Sequence, residues 1–262
     1  MSTKLDVESF RPKLGEWMDK FLPFFETGEM DKIFSFLKSR RPLGYKIIPS
    51  SEDTFKAFSS ISPGDVKAII YLQTPYPWVL PNKEGRKIVL ANGIPLDCSN
   101  TEKCQPSLLN FYGGIAGDIY GKTVPLYEES PSVQYLIDQG IMLINSDLTT
   151  ELNIKNGHEG LWREFMKFFL EEIINIDYVH LPIILAGSKS QVLAKFIDPL
   201  RHRIMYCEHP AAGSYSGGGW NTIDTLAKKN KESPIGVIKK TDYYLKDGGV
   251  NIEWLKLQNP PF

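Results

Sequence analysis

Three polar stretches of this chain hold residue types that could carry out chemistry together. They are residues 73–77, Asn145 with Asp147, and residues 208–210 around His209. An asparagine side chain offers both a hydrogen-bond donor and an acceptor, and a histidine can donate to an anion that develops during a reaction. Gathered around one ligand, these groups suit a planar molecule with polar edges. The residue types therefore indicate a pocket for a small molecule or a nucleobase.

Each polar stretch follows a run of apolar, β-prone residues, which predicts a strand buried on both faces. The predicted strands cover residues 66–72, 141–145, 181–186 and 203–207, and helical patterns lie between them. This alternation predicts an α/β fold of three layers, α/β/α, with a central, mainly parallel four-stranded sheet. Because the carboxyl ends of parallel strands lie at one edge of a sheet, the three polar stretches are expected to meet there.

The chain is predicted to form a single domain over residues 1–262, because no internal repeat or low-complexity linker divides it. Apolar residues at three- and four-residue steps predict helices from residue 7 to residue 41, so residues 1–45 form a helical extension packed on the domain. An amphipathic helix is expected to begin at His158. The tail beyond Pro234 is expected to be peripheral.

Composition narrows the class of protein. Apolar residues make up 42% and charged residues 23% of the chain, as in ordinary globular proteins. The first residues lack the apolar core of a signal peptide, so a cytoplasmic protein without a membrane partner is expected. The three cysteines lack C-x-x-C spacing, and we expect no metal or cofactor. The net charge of −1 means that any DNA contact must come from local basic surface. A monomer is expected.

The order of segments over roughly residues 47–237 resembles the family-1 uracil-DNA glycosylases. Residues 72–77, L-Q-T-P-Y-P, are similar to the family's G-Q-D-P-Y-H. Residues 141–149 resemble its L-L-L-N-x-x-L-T. Further matches are residues 93–97 in the place of G-L-x-F-S, residues 106–108 as P-S-L, and residues 209–214 in the place of H-P-S-P-L.

The resemblance implies an enzyme that flips a pyrimidine nucleotide out of DNA and hydrolyses its N-glycosidic bond, leaving an abasic site. It implies that Asn145 reads the base, that His209 stabilises the departing base anion, and that Tyr76 forms a pocket wall. The remaining base contacts are expected from Gln73, Leu96 and Asp147. The partner is DNA, in duplex or single-stranded form, and the expected DNA contacts are Pro106, Ser107, Pro210, Ala211 and Ser214.

The chain departs from the family pattern at its proposed catalytic centre. Thr74 stands where the family has a water-positioning aspartate, and its hydroxyl can orient a water without carrying a charge. Asp97 is a candidate to replace the missing acid. Asp147 is a second candidate, or an acceptor for the 4-amino group of a cytosine-type base. These departures leave catalytic activity open.

The pocket also departs from the family pattern in its expected size. Leu96 replaces a stacking phenylalanine, and residues 78–92 form a longer loop than the family has. A larger loop and a smaller wall predict a base larger than uracil, such as a hydroxymethylated or glucosylated pyrimidine of phage DNA, with a role in antiviral defence. Against this, Tyr76 is retained, and in the family that ring excludes substituents on C5. The alternatives are uracil repair with Thr74 orienting water, and a non-catalytic DNA-binding or processivity protein of the same fold.

Overall fold

Four parallel strands form the central sheet in a computed structural model that describes residues 5–82, 84–101, 103–212, 220–225 and 235–258. Their order is β5-β2-β7-β8, so the first strand of the sheet to appear in the chain lies inside it. The prediction of an α/β fold with a parallel four-stranded sheet is confirmed. The strands of the described residues are β1 Ile47–Ile48, β2 Ala68–Leu72, β3 Val79–Pro81, β4 Lys87–Val89, β5 Ile141–Asn145, β6 Thr150–Glu151, β7 Pro182–Ala186 and β8 Arg203–Cys207.

The strand register aligns the carboxyl ends of the central strands. Leu72 at the end of β2 pairs with Asn145 at the end of β5, and Ala186 of β7 pairs with Cys207 of β8. Every residue of β2, β5 and β7 is buried, as their continuous apolar sequences predict. The polar residues that follow these strands therefore emerge at one edge of the sheet.

Helices cover the sheet and extend the core. The helices are α1 Arg11–Leu14, α2 Met18–Glu26, α3 Glu29–Arg40, α4 Lys56–Ser59, α5 Pro106–Tyr120, α6 Gln134–Ile137, α7 Arg163–Phe168, α8 Asn175–Asp177, α9 Ser188–Gln191 and α10 Val237–Asp247. A π-helical segment, Phe169–Ile174, joins α7 to α8. No helix in the described ranges is both long and apolar enough to cross a bilayer.

The N-terminal helices join the main core through aromatic side chains. Phe21 of α2 stacks on Phe165 of α7 with ring centroids 4.5 Å apart. Trp17 meets Phe58 of α4 and Phe169 edge to face, and its indole N–H donates to the backbone oxygen of Ile61. The extension therefore shares one continuous core with the sheet-containing part, and the single-domain prediction stays a prediction.

The expectation of a peripheral C-terminal tail is wrong for residues 237–258. Val237 and Ile238 of α10 are fully buried, and α10 packs on α5 and on strands β7 and β8. Asp118 of α5 holds the start of α10, because its carboxylate accepts from the backbone N–H of Ile238 at 3.0 Å. Trp254 is also buried. The charged residues on the outer face of α10 hid its apolar face from a reading of local composition.

The helix expected from His158 begins five residues later, at Arg163. The residues before it form turns, because the carboxylate of Asp147 accepts from the backbone N–H groups of Gly160 and Trp162. His158 is buried within these turns, with its Nδ1 atom 2.8 Å from the hydroxyl of Thr149. A buried carboxylate thus fixes the segment that follows β5.

Candidate active site

A pocket lies at the edge of the sheet where the central strands end. Thr74 and Tyr76 follow β2, Asn145 ends β5, and His209 follows β8; all line this pocket, together with Leu96. The structure therefore brings together residues from four segments that are far apart in the chain. The set contains a carboxamide, an imidazole, a hydroxyl and an aromatic ring, which together can hold a planar ligand.

The loop after β2 is held at both ends by backbone hydrogen bonds. The carbonyl oxygen of Gln73 accepts from the backbone N–H of Asp147 at 3.0 Å and from the hydroxyl of Ser146 at 2.8 Å. The carbonyl oxygen of Pro77 accepts from the backbone N–H of Asn153 at 2.6 Å. Two prolines between these points restrict the backbone further. The loop is thus fixed before any ligand binds.

Gly187, directly after β7, allows two parts of the pocket to approach each other. Its φ is +92°, and a Cβ atom there would lie 2.3 Å from Nε2 of Gln73 and 2.8 Å from Cβ of His209. Both distances are shorter than real Cβ contacts allow. The glycine is therefore required for the position of His209.

Gly187→Ala is expected to lower the rate of the reaction at this site by about tenfold or more, because small displacements of reacting groups are costly. The matched control is Gly121→Ala, which has a similar φ of +67° but open space around the added methyl group. Backbone strain alone lowers stability by about 1–2 kcal/mol at each position. Single-turnover rates and thermal unfolding of both variants separate the two effects. Equal rate losses in both variants would contradict the argument.

His209 is held as a neutral ring with its proton on Nε2. Its Nδ1 atom accepts from the backbone N–H of Ala211 at 3.1 Å, so Nδ1 carries no proton. Burial, with a smaller contribution from the positive charge of Lys155, lowers the pKa of His209 from its ordinary 6.5 to about 4. Near neutral pH the ring therefore offers the pocket an N–H donor and no net charge.

This depressed pKa makes part of the folding stability depend on pH. Between about pH 4 and pH 6.5 the unfolded chain holds the His209 proton and the folded protein does not. The contribution is complete above pH 6.5 and is lost as pH falls toward 4. Wild type should lose about 2 kcal/mol more than His209→Gln between pH 7 and pH 5. Urea unfolding at both pH values measures the difference, and parallel curves for the two proteins would refute it.

Asn145 presents its side chain to the pocket. The residue is only 7% exposed, and its carboxamide makes no hydrogen bond to another side chain or to the backbone within the described ranges. A buried amide without a partner costs free energy, so such groups are ordinarily paired. A ligand with complementary polar edges in this pocket would supply the missing partners.

Thr74 is oriented by Asn156, for which the sequence predicted no role. The hydroxyl of Thr74 donates to Oδ1 of Asn156 at 3.2 Å, so its oxygen keeps lone pairs that can accept from a water or ligand. Asn156 has a φ of +56° in the turns before α7. An Asn-Gly pair in the segment after a strand that ends in a polar residue was the signal for this contact.

Tyr76 is fixed in place by Ser107, a predicted DNA contact. The two hydroxyl oxygens are 2.6 Å apart, and Ser107 is buried in the first turn of α5. Burial raises the pKa of Tyr76 well above its ordinary value, so the phenol stays neutral. The ring is therefore a fixed wall of the pocket.

Asp97 and Asp147 are not brought to the pocket, which corrects the expectation that either supplies an acid there. The carboxylate of Asp97 accepts from the side-chain amide of Asn92 and from the backbone N–H groups of Ser99 and Val133. Burial raises the pKa of Asp147 to about 6, and its carboxylate accepts from the backbone after β6. Both carboxylates hold loops. No carboxylate lines the pocket in the part of the chain that is described.

The remaining predicted contacts lie around the pocket. Gln73 and Ala211 line an outer cleft and not the base-sized pocket, and Pro106 lines the same cleft at the start of α5. Pro210 is buried, and its carbonyl oxygen accepts from the side-chain amide of Asn110 at 2.9 Å. Ser214 lies outside the described residues.

The outer cleft is continuous with the pocket. It has a volume of about 500 Å³ and shares Thr74, Tyr76 and His209 with the pocket as lining residues. Trp78 and Lys155 add an aromatic surface and a positive charge. The site thus consists of a narrow inner pocket and a wider entrance.

Comparison with known proteins gives a consistent result. No protein-family model matches the chain. The uracil-DNA glycosylase of Vibrio cholerae serotype O1 is 31% identical over 195 residues, which cover 74% of this chain and 81% of that protein. The uracil-DNA glycosylase of Sodalis glossinidius is 29% identical over 222 residues, 83% of this chain and 90% of that protein.

A solved structure shows the same fold. The crystal structure of mimivirus uracil-DNA glycosylase superposes with a TM-score of 0.75 at 23% identity, over 97% of this chain and 90% of that chain. The superposition includes the four-stranded parallel sheet that positions the pocket described above.

Proposed function

Since the chain belongs to the uracil-DNA glycosylase family, we propose that it binds DNA, draws a uracil nucleotide into the pocket and hydrolyses its N-glycosidic bond. The observation that carries this proposal is the meeting of Asn145, His209 and Thr74 in one pocket walled by Tyr76. A base that leaves as an anion needs a donor at its oxygen, and a sugar that accepts water needs a group to orient that water. This site offers both.

The base is bound by polar groups already oriented for it. In this proposal the carboxamide of Asn145 pairs with the edge of the pyrimidine, which has one donor and one acceptor to match it. As the bond between C1′ and the base nitrogen breaks, the electron pair stays on the base. The Nε2–H of neutral His209 donates to the oxygen where this negative charge develops.

Water is oriented by Thr74 and Asn156. Because Thr74 gives its own proton to Asn156, its oxygen accepts a hydrogen bond from the attacking water. The water oxygen then bonds to C1′, and its surplus proton passes to solvent or to the released base. Thr74 has no charge with which to stabilise the positive sugar, so we expect a slow enzyme.

Uracil is proposed as the base because Tyr76 is held against the pocket by Ser107. A wall that is fixed on the side of the pyrimidine C5 atom leaves no space for a substituent there. Uracil has only hydrogen at C5 and fits behind this wall.

A modified pyrimidine is the second candidate, favoured by the position of the outer cleft. Tyr76 lines both spaces, so a hydroxymethyl or glucosyl group that passed the edge of its ring would enter a cleft of about 500 Å³. Activity on such bases would suit antiviral defence against phage with modified DNA. A non-catalytic DNA-binding protein is the third candidate, because no carboxylate lines the described pocket.

One panel of substrates tests all three candidates. Single-stranded and duplex oligonucleotides carrying one uracil, one 5-hydroxymethyluracil or one glucosylated hydroxymethylcytosine are incubated with the protein and then treated with alkali. Strand breaks at uracil support the first candidate, and breaks only at modified bases support the second. Binding without breaks at any base supports the third and refutes catalysis.

Discrimination against C5 substituents should weaken when Tyr76 is changed. Tyr76→Ala is expected to raise cleavage of 5-hydroxymethyluracil relative to uracil by at least about tenfold, because it removes the wall. Ser107→Ala keeps the ring and removes only its hydrogen bond, so a change of about fivefold is expected. The ratio of single-turnover rates on the two bases is the measurement. An unchanged ratio in Tyr76→Ala would show that this ring does not select the base.

A further inference from the structure

Trp78 differs from the other tryptophans of this chain. The chain contains five, and Trp78 is 45% exposed. The other four are buried, and they are Trp17, Trp162, Trp220 and Trp254. Tryptophan is a large apolar residue that is usually well buried in folded proteins. An exposed indole beside a candidate active site therefore suggests a ligand that covers it.

The backbone on both sides of Trp78 is fixed. The carbonyl oxygen of Pro77 accepts from Asn153 at 2.6 Å, and the carbonyl oxygen of Trp78 accepts from the backbone N–H of Leu90 at 3.0 Å. The antiparallel pair of β3 and β4 follows directly. A ligand would thus meet an aromatic surface whose backbone is already ordered, which reduces the entropic cost of binding.

The position of Trp78 indicates which part of a ligand it would meet. Trp78 lines the outer cleft, which opens from the proposed base pocket past Tyr76 and His209. A nucleotide next to the one in the pocket would enter this cleft. Lys155 lines the same cleft and supplies a positive charge for the phosphate that links the two nucleotides.

We propose that Trp78 is a stacking platform for the unpaired base next to the flipped nucleotide, and that the enzyme consequently prefers single-stranded DNA. This role rests on the proposed function, because it takes DNA as the ligand. In a duplex the neighbouring base is paired and stacked within the helix, so its face is not available to the indole. In a single strand the face of any base can stack on an aromatic side chain, largely without regard to sequence.

Tryptophan fluorescence gives a direct test, because Trp78 is the one exposed indole among the five. A single-stranded oligothymidylate without uracil is titrated into the full-length protein and into Trp78→Phe, Trp78→Ala and Tyr243→Ala. Stacking should quench the fluorescence of the wild type, and Trp78→Phe should lose the quenching and keep the affinity. Trp78→Ala should bind the single strand about tenfold more weakly, with unchanged affinity for a duplex. Tyr243→Ala removes an aromatic ring that is 67% exposed elsewhere, and should match the wild type.

Two outcomes would overturn the platform. One is quenching that persists in Trp78→Phe, and the other is an equal loss of affinity for single strand and duplex in Trp78→Ala. Cleavage assays report separately on the proposed function. If no base is cleaved but quenching is lost in Trp78→Phe, the platform stands and the catalytic proposal fails. If uracil is cleaved without any quenching by the oligothymidylate, only the platform fails.

Discussion

Replacing His209 by alanine should lower the single-turnover rate of uracil release by about a thousandfold, because the pocket loses the donor that faces the departing base. The neutral ring, fixed by Ala211 with its proton on Nε2, is already oriented for this task. Removal of one donor from a site that stabilises a developing anion typically costs two to three orders of magnitude. The rate is measured with enzyme in excess over a uracil-containing oligonucleotide.

Binding separates this catalytic loss from a loss of structure. The affinity of His209→Ala for DNA should change little, since the contact acts mainly as the bond breaks. His209→Gln keeps a side-chain N–H donor and should recover part of the rate. Because burial lowers the pKa of His209 to about 4, the wild-type rate should not show a titration near pH 6.5. A clear step in the rate at that pH would contradict the neutral donor.

The fold was predictable from sequence where local pattern and burial agree. The apolar runs of β2 and β5 are buried throughout, and the resemblance extended the same reading to the order of the segments. Helix α10 was missed because its apolar face alternates with lysines and an aspartate, and only packing on α5 shows that it is part of the core. Propensity alone cannot show which amphipathic segment finds a partner.

The candidate site was predictable to a lesser degree. The ends of parallel strands meet by rule, so the meeting of Asn145 with His209 followed from topology. The pairs Thr74–Asn156 and Tyr76–Ser107 are side-chain contacts between segments that are distant in the chain, and no local pattern encodes them. The carboxylate of Asp97 was misjudged for the same reason, because a residue type does not reveal which way its side chain points.

A carboxylate at position 74 should raise the rate of this site. Thr74→Asp is expected to increase single-turnover cleavage of uracil by about a hundredfold, because a negative charge some 5 Å from the positive sugar contributes about 3 kcal/mol at an effective dielectric constant near 20. Asn156 can support the change by turning its amide N–H toward the new carboxylate. The gain requires the ionised form, so it should disappear as pH falls below the pKa of the new carboxyl group.

Thr74→Asn is the matched control, because asparagine has nearly the shape of aspartate and no charge. It should show no gain, and Thr74→Val, which lacks the hydroxyl that orients water, should be slower than the wild type. Equal rates in the aspartate and asparagine variants would place the reacting sugar away from position 74. If the wild type binds DNA without cleaving it and Thr74→Asp alone restores cleavage, the chain is a DNA-binding member of its family whose pocket still holds the remaining catalytic groups in place.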